Sequence, residues 1–375
     1  MRKVSHRVCL QIFLYVLAIG VFGISAVAQG MRDTTFGANI SKGPAQGFVS
    51  ELLPDGDLLV GGAYTTVDGQ ARYYLARLDG TTGSLEPGFA VGQLNGDVVA
   101  ILVQPDGKVV IGGSFTTYNG ATANRLIRLN ADGSRDGSFG GTGVAGPSYC
   151  RITSIIQQAS GKIVAIGQGV TGYDGGSSFG IFRANTNGSF DPTFVSGFNA
   201  IPGLEELAQQ SDGKIIMTGG FTGYGGVTIQ GVLRMNQDGA IDTGFNTGGA
   251  GVNGSVAAGA LQPDGKIVIG GSFSQYNGAA TQPIIRLLSN GVLDGSFAPP
   301  SLPMETNYIE SIAIQSDGMV VAAGAFNYAG GRMKPAIRLN TFGSLDAGYA
   351  LGNADNLAYD ATLASNGAVI LTGWF

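Results

Sequence analysis

Histidine and cysteine are almost missing: His6, Cys9 and Cys150 are all that the 375 residues contain of them. His6 and Cys9 both fall in the first 28 residues, which carry Arg2, Lys3 and Arg7, then an apolar run from Val8, then Ala26-Val27-Ala28. A basic start, an apolar stretch and a small-x-small site are the parts of a secretory signal peptide. The sequence therefore predicts cleavage after Ala28, the alternative being an uncleaved anchor long enough to span a bilayer. The mature chain, 29–375, then has no histidine and one cysteine. Ser-His-Asp and Cys-His nucleophiles, His-ligated zinc and iron, and an internal disulfide are excluded. Cys150 reads as a small buried residue, the alternative being a free thiol in a loop. No cofactor and no metal are expected. The Asp/Asn/Gly turns are read as plain turns because no loop has the dense alternating ligands of a calcium site.

Charge is also scarce, at 13% of residues against 44% hydrophobic. Disordered chains show the reverse balance. Without Arg2, Lys3 and Arg7, the 21 basic residues become 18 against 26 acidic, a net charge of −8. That argues against a nucleic-acid partner, which calls for a basic patch. No later stretch resembles a membrane span.

Glycine is plentiful, 64 residues without a three-residue period, as in a turn-rich β protein and not in collagen. Its placement carries a repeat. Turn glycines stand at Gly56, Gly107, Gly161, Gly213, Gly265, Gly318 and Gly367, spaced by 51, 54, 52, 52, 53 and 49 residues. A second glycine follows six residues after each, from Gly62 and Gly113 to Gly373. The clearest unit is 98–139: an apolar run, Pro105-Asp106-Gly107, a second apolar run closing on Gly112-Gly113-Ser114-Phe115, a polar loop, a third run at 125–130, and Asp136 before Phe139. Nearly continuous apolar runs of this length describe strands covered on both faces. Asp-Gly predicts a tight hairpin between the first two. The glycine inside the second run predicts a bulge or a close approach of neighbouring sheets. A period near 50 residues built of short strands points to a β-propeller.

The expected fold is all-β: a propeller of about seven blades with three or four strands each, forming a single domain over 29–375 and a monomeric ring. The seventh copy, 357–375, stops inside the motif, so this chain is a candidate fragment of a longer protein. Asp33-Thr34-Thr35-Phe36 has the form of its missing outer strand, which places residues 29–40 beside 357–375.

Gln104-Pro-Asp-Gly-Lys108, Gly112-Gly-Ser-Phe115, Arg128-Leu-Asn130 and the stretch from Asp132-Gly-Ser134 to Phe139 resemble the delta-60 repeat. The first two motifs return at 262–266 and 270–273, and the resemblance covers nearly all of 50–375. It implies a secreted bacterial β-propeller of unassigned function and brings no catalytic residues. The third copy departs most, with Ala159-Ser160 replacing Pro-Asp and Gln168-Gly169 where other copies reach an aromatic.

An arginine and an acid recur in the third run: Arg128 with Asp136, Arg183 with Asp191, Arg234 with Asp242, Arg286 with Asp294, Arg338 with Asp346, and Arg77 with Glu86 one residue further on. They are expected to be structural pairs, since a guanidinium fork suits a carboxylate. Tyr118, Tyr173, Tyr224, Tyr276 and Tyr328 recur in the long loops. They are the candidate ligand-binding ring for sugar or peptide, the competing reading being that each ring packs over its own blade. For hydrolysis the candidates are Asp68, Asp174, Glu205, Glu206, Glu305, Glu310 and Asp355; Glu205 and Glu206, if on a strand, would point to opposite faces. The expected function is an exported, non-enzymatic binding or adhesion scaffold, at the cell surface, in the periplasm or secreted. Its protein or glycan ligand would sit on the face of the long loops. The alternatives are a carbohydrate-active hydrolase or lyase using loop carboxylates, and a passive spacer.

Overall fold

The computed structural model describes residues 12–13, 15–17, 39–41, 46–198, 203–302, 308–327, 333–349, 357–364 and 367–374. It is a propeller of seven sheets arranged as a ring. The inner strands are Gln46–Leu52, Val98–Val103, Arg151–Gln157, Leu204–Gln209, Ser255–Leu261, Tyr308–Ile314 and Leu357–Leu363. Each packs against the next, and the last packs against the first. A middle strand follows every inner strand antiparallel, for example Val109–Gly113 in blade two. In blades one to six an outer strand such as Leu126–Leu129 completes the sheet. The expected fourth strand is reduced to one bridge in each of blades one to six, such as Leu129 with Arg135 and Met235 with Ile241.

The hydrophobic core is divided among the seams. Leu59 and Leu75 of blade one pack with Val109 and Ile127 of blade two. Ala100 and Val110 of blade two pack with Ile152 and Phe182 of blade three. The pattern runs round to Ile370 of blade seven, which packs with Leu58 and Val60 of blade one. Both faces of every middle strand are buried, which is why these runs read as unbroken apolar stretches.

The repeated glycine pair answers two separate demands. At Gly113 the register slips: Gly112 faces Ala100 and Gly113 faces Val98, leaving Val99 as an extra residue. The same slip occurs in all seven blades. A Cβ on Gly113 would lie 1.8 Å from the Asp97 carbonyl oxygen, and on Gly324 1.9 Å from that of Tyr308. Gly112 faces the neighbouring blade, where a Cβ would stand 2.5 Å from the Ile152 side chain.

Ring closure adds a polar clasp to the apolar seam between blades seven and one. The Ser50 amide and hydroxyl both donate to Asp360 Oδ2, at 2.8 and 2.9 Å, and the Thr362 hydroxyl donates to the Ser50 carbonyl at 2.8 Å. Blade seven differs from expectation at its outer edge. Tyr15–Leu17 occupies the position of the third strand, antiparallel to Val369–Leu371. The segment expected there, 33–36, lies outside the described residues. Asn39–Ser41 pairs with Thr66–Val67 of blade one and not with 357–375.

Substituting Gly113 by Ala should cost about 1–3 kcal/mol, the usual range for overpacking a tight site. Gly137→Ala, where a Cβ meets nothing within 4 Å, should be neutral. Thermal melts of the two variants check this; equal melting temperatures would remove the bulge from the account.

Candidate functional site

The bulge turns an extra side chain of each inner strand inward, and these side chains line a channel of about 530 Å³ on the ring axis. The bulged residues are Phe48, Val99, Thr153, Glu205, Ala257, Glu310 and Tyr359. The next residues along the strands add Ser154, Glu206, Ser311 and Asp360, and Glu51 lies two residues beyond Val49. Arg151 and Gln168 join them from blade three. Five carboxylates and one guanidinium thus face the same space. The position of Glu51 is apolar in blades two to four, at Leu102, Ile156 and Ala208. The polar end of the channel is the end where the links between blades reach the inner strands.

Glu205 and Glu206 correct the strand-alternation argument. Because Glu205 is the bulged residue, both side chains line the channel instead of pointing to opposite faces. Glu205 Oε1 accepts from Gln168 Nε2 at 3.0 Å, and Glu206 Oε2 accepts from the Gly259 amide at 2.6 Å. Phe48 and Tyr359 meet edge to face, with centroids 5.6 Å apart. The Arg151 Nε has no hydrogen-bond partner among the described residues.

Burial dominates the electrostatics here. Desolvation, reinforced by the charge of Asp360, pushes Glu206 up to about 8 and Glu51 up to about 7, although the Gly259 amide pulls Glu206 down. Burial also raises Glu205, opposed by Gln168 and Arg151. The low-dielectric wall and then the charge of Glu205 raise Glu310. Of the other candidate carboxylates, Asp174 caps the Thr142 amide at 2.8 Å and Asp68 accepts from the Leu85 amide at 3.3 Å. Glu305 and Asp355 lie outside the described residues.

The tyrosines take a different place from the one a ligand ring requires. Tyr118, Tyr173, Tyr224 and Tyr276 are buried, and each hydroxyl donates to a glycine carbonyl of its own blade: Gly133, Gly188, Gly239 and Gly291. The long loops fold back along the outer edge. Asn119 and Gly120 form the tip of one small hairpin with φ of 49° and 75°, a type I′ turn. Val67 fills the tyrosine position in blade one and is likewise buried. Tyr328 lies outside the described residues. The ring faces are covered, so stacking on a ligand would require the loops to lift. Cys150 is buried, its thiol raised by desolvation.

The arginines of the outer strands point away from the channel and join blades. Arg128 Nε donates to Asp136 Oδ2 at 2.7 Å, and Lys108 reaches the same oxygen at 2.8 Å. Arg128 Nη1 then donates at 2.9 Å to the Thr186 carbonyl of the next blade. Arg183, Arg234 and Arg286 repeat the arrangement onto Gln237, Ser289 and Thr341, with Asp191, Asp242 and Asp294 as their acids. Arg338 pairs with Asp346. Blade one is the exception: Arg77 binds Asp57 at 2.7 Å and Asp55 at 2.5 Å, not Glu86. Asp57 stands where blade two has Lys108, so the acid comes from the first hairpin and Glu86 keeps only a backbone bond to Arg77. Burial would raise the paired carboxyls, but the cations and the Ser or Thr donors prevail. Asp136 and Asp191 are held well below the usual carboxylate range, and Asp294 falls to about 2.

Among the described residues no group of three or more His, Cys, Asp or Glu is placed to hold a metal, and no helix is long and apolar enough to cross a membrane.

The chain is similar to known proteins in two ways. Segments 53–89, 104–139, 158–194, 210–245, 262–297 and 315–349 match a family described as a domain of unknown function, DUF5122, beta-propeller. Among curated proteins none matches the chain. Among solved structures, the WD40 domain of Neurospora crassa Pan2 is similar over 88% of this chain and 89% of its own, at 10% identity and a TM-score of 0.51. PorZ, a surface component of the type-IX secretion system of Porphyromonas gingivalis, is similar over 92% of this chain but 48% of its own, at 14% identity and a TM-score of 0.50. This chain thus spans about half of PorZ, and at such identities both likenesses concern the fold alone.

Two outcomes follow from the charges. Arg128→Ala should lower stability by about 1–3 kcal/mol, since Lys108 still serves Asp136 while the bond to Thr186 is lost. Denaturant unfolding measures it. The channel acids set the opposite pH trend to the pairs. A carboxyl whose folded pKa lies above its unfolded value binds more protons when folded, so stability falls as pH rises from about 4.5 toward about 8. Glu206→Gln keeps an acceptor for Gly259 and removes the charge. Its melting temperature should match wild type near pH 4 and exceed it increasingly up to pH 8.5; parallel curves would contradict the raised pKa.

Proposed function

The chain belongs to the DUF5122 beta-propeller family, and we propose from that premise that it is an exported, non-enzymatic binding scaffold whose ligand enters the central channel. The delta-60 character of its repeats is part of the same proposal. One observation carries it: the bulged positions, filled by small or apolar residues in blades two and five, carry Glu205, Glu310, Phe48 and Tyr359 in four others. Packing alone asks for no carboxylate there, and burying one is costly. Carboxylates that take hydrogen bonds beside aromatic edges suit a polar ligand with apolar faces, as a sugar or a peptide segment has. The channel opens where the links between blades lie, the end expected to bind. Export rests on Arg2, Lys3, Arg7 and the apolar run to Ala28; sequencing the released protein should give Gln29 as its first residue, a cleavage that would take Tyr15–Leu17 away from the edge of blade seven.

The test is a glycan and peptide array probed with residues 29–375, run beside a panel of glycosidase and lyase substrates. Glu205→Gln, Glu310→Gln and Tyr359→Ala should each weaken array binding about tenfold or more, the scale of a charge-assisted hydrogen bond, with little change in melting temperature and without turnover by the parent. Turnover abolished by one of the two glutamine variants would make the protein a hydrolase or lyase. No binding on either array would leave a spacer.

A further inference from the structure

Blade four carries a second cavity, of about 410 Å³, away from the channel, with Val227, Ile229, Ile241 and Phe245 in its walls and Arg234 among them. The repeats act as internal controls for that arginine. In blades two, three and five every nitrogen of the guanidinium donates, Nη2 of Arg128, Arg183 and Arg286 to Ser138, Thr193 and Ser296 at 3.2, 3.0 and 3.1 Å. In blade six, where Gly348 removes that hydroxyl, Arg338 Nη2 turns to Asp346 at 2.6 Å. Blade four has Gly244 at this position, yet Arg234 keeps Nε on Asp242 and Nη1 on Gln210 and Ser289, and Nη2 has no hydrogen-bond partner among the described residues. Lys214 shares the same Asp242 oxygen at 2.7 Å. Two cations against one carboxylate leave a net positive charge at a guanidinium whose face lies 5.1 Å from the Phe245 ring centre.

We propose that this pocket binds a small monocarboxylic acid with an apolar body, its carboxylate on Arg234 Nη2 and its body against Ile229, Ile241 and Phe245. A free N–H next to an apolar wall recognises an anion by a charge-assisted bond and rejects the neutral isostere. The ligand complements the site where blades two, three and five supply a hydroxyl. The site is independent of the channel reading.

The experiment titrates the purified chain with hexanoate and phenylacetate, and with hexanamide and phenylacetamide, by calorimetry and ligand-observed NMR. One acid should bind saturably, at least about tenfold tighter than its amide. Gly244→Ser supplies the missing hydroxyl at a position where an added Cβ meets only Asp242 Oδ1, at 3.2 Å. It should weaken binding at least tenfold while the melting temperature holds or rises. Val227→Trp, at an exposed wall position, should block the pocket independently. Equal binding of acid and amide, unchanged binding in both variants, or no saturable binding would each overturn the proposal.

Discussion

Blades two to six depend on one steric demand: a middle-strand glycine must leave room for the carbonyl of the facing inner strand. Asp97 and Tyr308 offer their oxygens less than 2 Å from where a Cβ would stand, so no other residue fits without moving the sheet. The bulge that this permits is the origin of the channel lining. A regular strand would send Glu205 and Glu206 to opposite sides; the bulged one turns both inward. Fold and candidate site therefore share a single cause, and the glycine is as much a part of the site as the glutamates.

The second constraint is electrostatic and acts at the rim. Each outer-strand arginine of blades two to five neutralises an acid of its own blade and hands one N–H to a turn carbonyl of the next. Because these guanidiniums are largely buried, their bonds are stronger than surface ion pairs, and losing a partner costs more. Apolar seams supply the bulk of the cohesion, while the arginines fix how neighbouring blades register. Channel and rim respond to pH in opposite senses: the rim acids are stabilised as anions, the channel acids as neutral groups.

The propeller was legible because its evidence is repeated. Seven turn glycines and seven strand glycines outweigh any single ambiguous run, and the notion of a bulge or close approach at the strand glycine already contained both observed roles, now divided between Gly113 and Gly112. The site was less legible because it lies where the repeats disagree. Glu205, Glu310 and Tyr359 occupy a position that is Val99 and Ala257 elsewhere, and only the bulge register brings them onto one ring. Gln168 looked like an irregularity of the third copy, yet it supports Glu205. The tyrosines follow the competing reading, packing over their own blades, for the converse reason: a residue repeated in nearly every blade serves what every blade needs, here a loop pinned to a glycine carbonyl. The Arg77 partner was not legible because Asp57, standing where blade two has a lysine, lies 29 residues before Glu86 in sequence and outside the spacing that pairs arginine with acid in the other blades.

The seam between Ser50 and Asp360 joins residues 310 apart. Loop closure of that length is an entropic cost that local hairpins do not carry, and contacts so remote in sequence form late. Six repeats can assemble in order as the chain emerges, each covering the apolar side of the one before. The acidic layer of the channel cannot, since Asp360 stands beside Glu51 of the first blade and Glu206 of the fourth. A nascent or nicked chain lacking its last repeat would hold most of the hydrophobic seams and still have no channel. The channel is thus a property of the closed circle, complete only when the last seam forms and lost when any seam opens.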